Sequence, residues 1–290
     1  MTFESLAFPL LVTLVVAAAA TSVHRRLPPR LATRFVTIAL VLVAVAALPT
    51  ALLVAVAFLA HVPLIGFGFE WCTQAMGIHG SVPPWLGIPA VALVTFGAVR
   101  TFRLLRQHRS LRLEHPQPVH IAPSHQPYAV TLPGKAGQIV ISTAMVDLLD
   151  DDEQRIVLAH ERAHARFRHD RYLLASELAA AALPPLRALA ERVNYSLERW
   201  ADEAAAAACG DRRLVAVTLG KVALQANPPT TAGFSGLGVA ARMGALLEPP
   251  IPNPPRRRVL ALWASVAVTA GFSVYQLHHL ERLLTALCLH

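Results

Sequence analysis

Charge is scarce in this sequence. Only 15% of its 290 residues are Asp, Glu, Lys or Arg, against 54% hydrophobic, and the mean hydropathy is +0.47. A soluble domain carries roughly 25% charged residues, so this composition calls for lipid around much of the surface. Acids are the scarcer sign, 18 against 26 Lys and Arg, a net charge of +8. The arginines gather at the ends of apolar runs instead of forming a nucleic-acid patch, which argues against DNA binding and for membrane orientation. Cysteine is nearly absent: Cys72, Cys209 and Cys288 lie far apart with no CxxC. That speaks against a disulfide framework and a thiolate metal site, leaving His, Asp and Glu as metal donors; Cys209 reads as a small buried residue. Aromatics are few, at 7%, and alanine-rich runs replace the apolar/polar alternation of a β-barrel.

What the chain does have is long apolar runs. Leu6–Val23 is uncharged and close to the roughly 20 residues that cross a bilayer. It lacks the basic start and small-residue cleavage site of a signal peptide, because Glu4 precedes it and "HRRLPPR" follows. Phe35–Ala60, with Pro49 as an expected kink, Trp85–Phe102 and Val259–Leu277 complete four expected spans; Trp85, Trp263 and Tyr275 suit the interfaces. For any single run the alternative is a buried core helix. Arg25, Arg26, Arg30 and Arg34 follow the first run, five arginines from Arg100 to Arg112 follow the third, and Arg256–Arg258 precede the fourth, whereas residues 62–84 hold no Lys or Arg. The positive-inside rule then places the segment between the third and fourth runs in the cytoplasm of a multi-pass plasma-membrane protein, with both termini outside.

The expected organisation is therefore three spans within residues 1–105, a cytoplasmic domain over 106–226, a Pro/Gly-rich linker over 227–258, a fourth span over 259–277 and a short outer tail over 278–290. The fold class is mainly α, with a small α+β domain inserted between spans three and four. In that domain "VHIA", "YAVTL" and "QIVIST" are strand candidates. Asp147 or Asp150 caps a helix whose first turn is acidic. The Ala/Leu stretch from Tyr172 to Leu189 is a core helix broken at Pro184 and Pro185, and a further helix turns at "CGD" before resuming to about Gln225. One short helix around "ARMGALL" is expected inside the linker.

The chemistry centres on "VLAHERAHARFRHD". On a helix, His160 and His164 project from one face and can share one metal ion, while Glu161 sits off that axis as a general base for water. A solvated helix with scattered His and Glu shows the same letters, so a third ligand decides. A catalytic zinc takes three protein ligands and keeps an open position. "ERWAD" supplies Glu198 and Asp202, again four residues apart: Glu198 to complete a His2Glu set, Asp202 to accept a hydrogen bond from a ligand imidazole. For Glu198 the competing role is a surface pair with Arg199 or Arg192. His169 and Asp170 read as support, Asp170 anchoring an arginine, and Arg212 and Arg213 as solvated or paired at a helix start.

"HERAH" in an acid-capped helix followed by "ERWAD" resembles the gluzincin metallopeptidases of families M48 and M56. Four spans with the zinc domain between the third and fourth are more similar to M56, the BlaR1/MecR1-like family, and in particular to its short actinobacterial members. The resemblance implies Zn²⁺ held by His160, His164 and Glu198, Glu161 as catalytic base and Asp202 behind the ligands. It also implies "QIVIST" as the edge strand that pairs with an extended substrate, and a BlaI/MecI-like transcriptional repressor as protein substrate. Membrane lipid is the other expected partner, and no direct nucleic-acid binding is expected. An M48-like quality-control protease and a non-catalytic zinc-binding receptor are the alternatives. The penicillin-binding sensor that follows the fourth span in BlaR1 and MecR1 is not expected in the thirteen residues after Leu277.

Overall fold

The computed structural model describes residues 26–62, 82–110, 118–134, 137–225 and 236–288. The first expected span, Leu6–Val23, lies outside them, as does most of the loop expected on the outer face.

Two helices precede the sheet: α1 (Pro29–Leu59) and α2 (Pro84–Ser110). Both are long and apolar enough to cross a membrane; α1 covers the second expected span up to Leu59, and α2 contains the third. Pro28 and Pro29 open α1, where a missing N–H costs nothing, and the helix runs on through Pro49. The two helices differ in surroundings. In α1, Phe35, Val36, Ala39 and Leu40 are buried; in α2, Trp85, Ile88, Phe96 and Phe102 are exposed, an apolar surface of the kind that lipid covers.

Strands β1 (Val119–Ala122), β2 (Ala129–Leu132) and β3 (Gln138–Ser142) form a sheet of order β1-β3-β2. β3 pairs parallel with β1 and antiparallel with β2. "QIVIST" is therefore the central strand and not an edge: both its backbone edges are taken, and Ile139 and Ile141 pack with Met145 and Leu149. The strand beside the helix of "HERAH" is β2, which has β3 as its one partner among the described residues.

Helices α3 (Thr143–Leu148), α4 (Asp151–Phe167), α5 (His169–Ala182), α6 (Arg187–Cys209), α7 (Arg212–Gln225), α8 (Gly236–Leu247) and α9 (Arg256–Cys288) complete the chain. Asp150 caps α4 by accepting from the amides of Asp152 and Glu153, while the Glu153 carboxylate accepts from the Asp150 amide at 3.0 Å, a reciprocal capping box. Its acidic first turn offsets the helix dipole. A 3-10 turn at Pro184–Leu186 separates α5 from α6, and Gly210 in the left-handed region closes α6. α9 covers the fourth expected span and runs on through Cys288, so the expected tail continues that helix.

The core has a consequence for the site. Phe35, Val36 and Leu40 of α1 pack with Leu189, Val193 and Leu197 of α6 and with Val266 of α9. Each fully buried Leu or Val contributes about 1.5–3 kcal/mol. The helix that carries "ERWAD" is thus seated directly on the first half of α1.

Candidate metal centre

Helix α4 presents His160 and His164 one turn apart, and α6 presents Glu198 and Asp202 in the same way. Packed against each other, the two helices bring one donor atom each from His160, His164 and Glu198 to within 4.8 Å of one another. The two Nε2 atoms are 3.1 Å apart, and each lies 3.6 Å from a different oxygen of Glu198. Inner nitrogens and carboxylate oxygens thus converge on one point. Two imidazoles and a carboxylate are the donor set that Zn²⁺ takes at catalytic sites, so the residues present fit the ion.

The outer nitrogen of His160 is also occupied: Nδ1 lies 3.1 Å from Asp202 Oδ1. Burial opposes a charge on His160, yet the Asp202 and Glu198 carboxylates outweigh burial and raise its pKa from 6.5 to about 10. His164 shifts the other way, because burial and the neighbouring His160 outweigh the attraction of Glu198 and Glu161. Asp202 is buried and Glu198 partly so, and burial alone would raise their pKa values. The histidines and one arginine reverse that and hold both carboxyls below the ordinary range.

That arginine is Arg242, in the "ARMGALL" stretch, to which no role was assigned. Its Nε and Nη2 donate to the two oxygens of Asp202 at 2.8 and 2.7 Å, and its Nη1 stands 2.9 Å from Glu198 Oε2. Bidentate pairing of this kind fixes both charge and orientation. Burial works against its charge, but Asp202 and Glu198 push its pKa higher still. Arg242 arrives on α8, a helix in the stretch expected to be a linker. Leu246 anchors α8 among Ile156, Ala205 and Val215. Arg212 secures its C-terminus, donating to the carbonyls of Ala245, Leu246 and Glu248 and pairing with Glu203, where free carbonyls and the helix dipole both favour a cation. The signal legible in the sequence was one arginine inside the otherwise apolar "GVAARMGALL", since a buried arginine needs a partner.

Glu161 is buried, and its carboxylate lies 2.7 Å from the Thr131 hydroxyl on β2. The same hydroxyl is 2.9 Å from the Glu161 carbonyl, so strand β2 is tied to α4 at this residue. Gly137, at φ +63°, lets the chain leading into β3 pass over α4, where a Cβ would stand 2.7 Å from that of Ala165. No pattern in the sequence marked Thr131. His169 is buried against His164, Nδ1 to Nδ1 at 3.0 Å. Burial first, then His164, push its pKa down to about 3. Asp170 lies 3.3 Å from Arg168, the expected anchoring. Arg199 turns away from Glu198 to Glu203 at 3.3 Å. Cys209 is exposed, not buried as expected, because it ends α6 just before the Gly210 turn.

Residues 101–193 match the profile of peptidase family M48. The matched stretch takes in the sheet, α4 with His160, Glu161 and His164, and α5, and it ends before Glu198. It supports a metallopeptidase and does not extend to an M56 assignment. No curated protein and no solved structure matches the chain.

Proposed function

We propose that the chain is a membrane-bound, zinc-dependent endopeptidase that acts, as an M48-like protease does, on membrane-associated protein chains. The observation that carries this reading is the convergence of His160, His164 and Glu198 donors within 4.8 Å, with Glu161 next in sequence to the first of them. Those three residues would hold the ion, which supplies Lewis-acid chemistry toward a carbonyl and toward water. The chain's own residues do the rest. Glu161 takes a proton from the attacking water at its carboxylate and passes it to the departing amine, with the Thr131 hydroxyl steadying that carboxylate. Asp202 keeps the His160 proton on Nδ1 and its Nε2 free to bind. Arg242 neutralises two buried carboxylates that would otherwise repel each other. The edge of β2 that pairs with no strand among the described residues, tied to Glu161 through Thr131, would accept an extended substrate by strand addition.

Two apolar helices support the membrane location. A site on the cytoplasmic side, with both termini outside, is the orientation the arginine distribution favours. Reporter fusions at Pro116 and Gly80 test it: a cytoplasmic signal at Pro116 and an outer one at Gly80 are expected, and the reverse overturns it.

A second reading, M56-like cleavage of a BlaI/MecI-type repressor, is supported by "HERAH…ERWAD" and by long helices on both sides of the site in sequence. The M48 match favours the first. The experiment for both compares Glu161→Gln with His164→Ala and Glu198→Ala in the full-length protein. The first should keep zinc and lose cleavage, and the other two should lose both. A Glu161→Gln variant that cleaves at the normal rate contradicts either reading. Offering wild-type protein an unfolded membrane protein or a winged-helix repressor tells the readings apart by which is cut.

A further inference from the structure

The two expected metal ligands of α4 have outer nitrogens in different company. His160 Nδ1 meets Asp202 at 3.1 Å; His164 Nδ1 meets not a carboxylate but the Nδ1 of His169, at 3.0 Å. We propose that His169 is a positioning residue for His164, accepting the proton of His164 Nδ1 so that His164 Nε2 is left bare toward the metal. The inference rests on the zinc reading above.

Proton bookkeeping fixes the arrangement. A metal-binding imidazole is neutral and carries its single proton on the nitrogen that faces away from the ion. His164 turns Nε2 toward His160 and Glu198, so its proton belongs on Nδ1, and the atom opposite must accept. A neutral His169 accepts with Nδ1 only if its own proton sits on Nε2. That Nε2 is buried and has no hydrogen-bond partner among the described residues. An unsatisfied buried N–H is retained at a cost, and here it is what leaves Nδ1 free to accept.

The rest of the ring's surroundings serve to hold it still. Arg168, between α4 and α5, has φ 55° and ψ 48°, a left-handed conformation that costs a residue with a side chain free energy. It turns the chain so that His169, the first residue of α5, comes back against α4. The His169 ring then lies 4.7 Å from Trp200, centroid to centroid, and meets His164 edge-on at 86°. Trp200 is stacked on Phe167 at 4.8 Å and has the guanidinium groups of Arg30 and Arg34 at 5.8 and 5.9 Å from its ring centre, within cation–π range. Those arginines belong to the first turns of α1. A continuous contact path therefore runs from the start of a membrane-length helix, through Trp200 and His169, to the ligand His164.

The test uses full-length protein in detergent micelles and measures zinc affinity by chelator competition for wild type, Glu161→Gln, His169→Ala and His169→Gln. His169→Ala should bind zinc roughly 10- to 100-fold more weakly, with a shifted visible spectrum when Co²⁺ replaces zinc. Glu161→Gln should match wild type, and His169→Gln should recover most of the loss, because an amide oxygen can accept from His164 Nδ1. A folded His169→Ala that matches wild type in affinity and spectrum overturns the role of His169 and leaves the zinc reading intact. Wild type that binds no zinc overturns both. The proton position in the native protein gives a reading free of any folding defect: ¹⁵N spectra of the zinc form should show His169 protonated on Nε2, and protonation on Nδ1 overturns the proposal.

Discussion

His160 and His164 sit one turn apart on the same helix, yet their outer nitrogens meet opposite chemistries. Behind His160 is a charged lattice, Asp202 and Glu198 bridged by Arg242. Behind His164 is an uncharged aromatic stack, His169 against Trp200 and Phe167. One side acts on its ligand through charge, and the other through a neutral hydrogen bond and ring packing. The charged side comes from α6 and α8, the aromatic side from the end of α4, α5 and α6 with the basic start of α1 behind it. The pH dependence of zinc affinity should therefore answer to the first, and the tautomer and orientation of the ligand to the second.

The sharpest way to break the charged side is Arg242→Leu, which strands two buried carboxylates. A cost of about 3–5 kcal/mol in the stability of the metal-free protein is expected, read by denaturant unfolding in micelles. Asp202→Asn is milder: the amide keeps the size but removes the charge facing His160, and zinc affinity should fall roughly 10- to 100-fold. The pH dependence follows from the raised pKa of His160. In the metal-free fold this group contributes stability that is fully present below its unfolded value of 6.5 and is lost as pH rises through about 10. Zinc must displace that proton, so apparent affinity should increase with pH through the neutral range, by up to about tenfold per unit, with proton release on binding detectable by calorimetry in buffers of different ionisation enthalpy. The smallest effect is expected at Trp200, at the back of the aromatic side. Trp200→Leu removes stacking contacts of about 1 kcal/mol each and should leave the slope of affinity against pH unchanged. A changed slope would mean that the two sides are not separate.

How much of this was legible in the sequence depended on whether a residue's partner lay within one helical turn. His160 and His164, and Glu198 and Asp202, are spaced at four, and helical geometry alone put each pair on one face. The Asp150 cap, the Pro184–Leu186 break and the turn at Gly210 were equally local, and the three strand candidates all formed. Strand order was not local. "QIVIST" looked like an edge because no sequence pattern says that β1 pairs parallel beside it. Arg242 is 40 residues from Asp202, and Thr131 is 30 from Glu161, and neither separation has a period. His169 is near in sequence but reaches His164 through a left-handed Arg168, a conformation that propensity assigns to glycine. Composition marked α1 as a membrane-length helix but could not indicate that its first half also seats α6.

X-ray absorption at the zinc edge of the full-length protein tests the central claim most directly. The account predicts two imidazole nitrogens at about 2.0–2.1 Å with oxygen completing the shell and no sulfur, and no bound zinc to give an edge in His164→Ala. A sulfur ligand, an all-oxygen shell, or a wild-type spectrum unchanged by His164→Ala would contradict it.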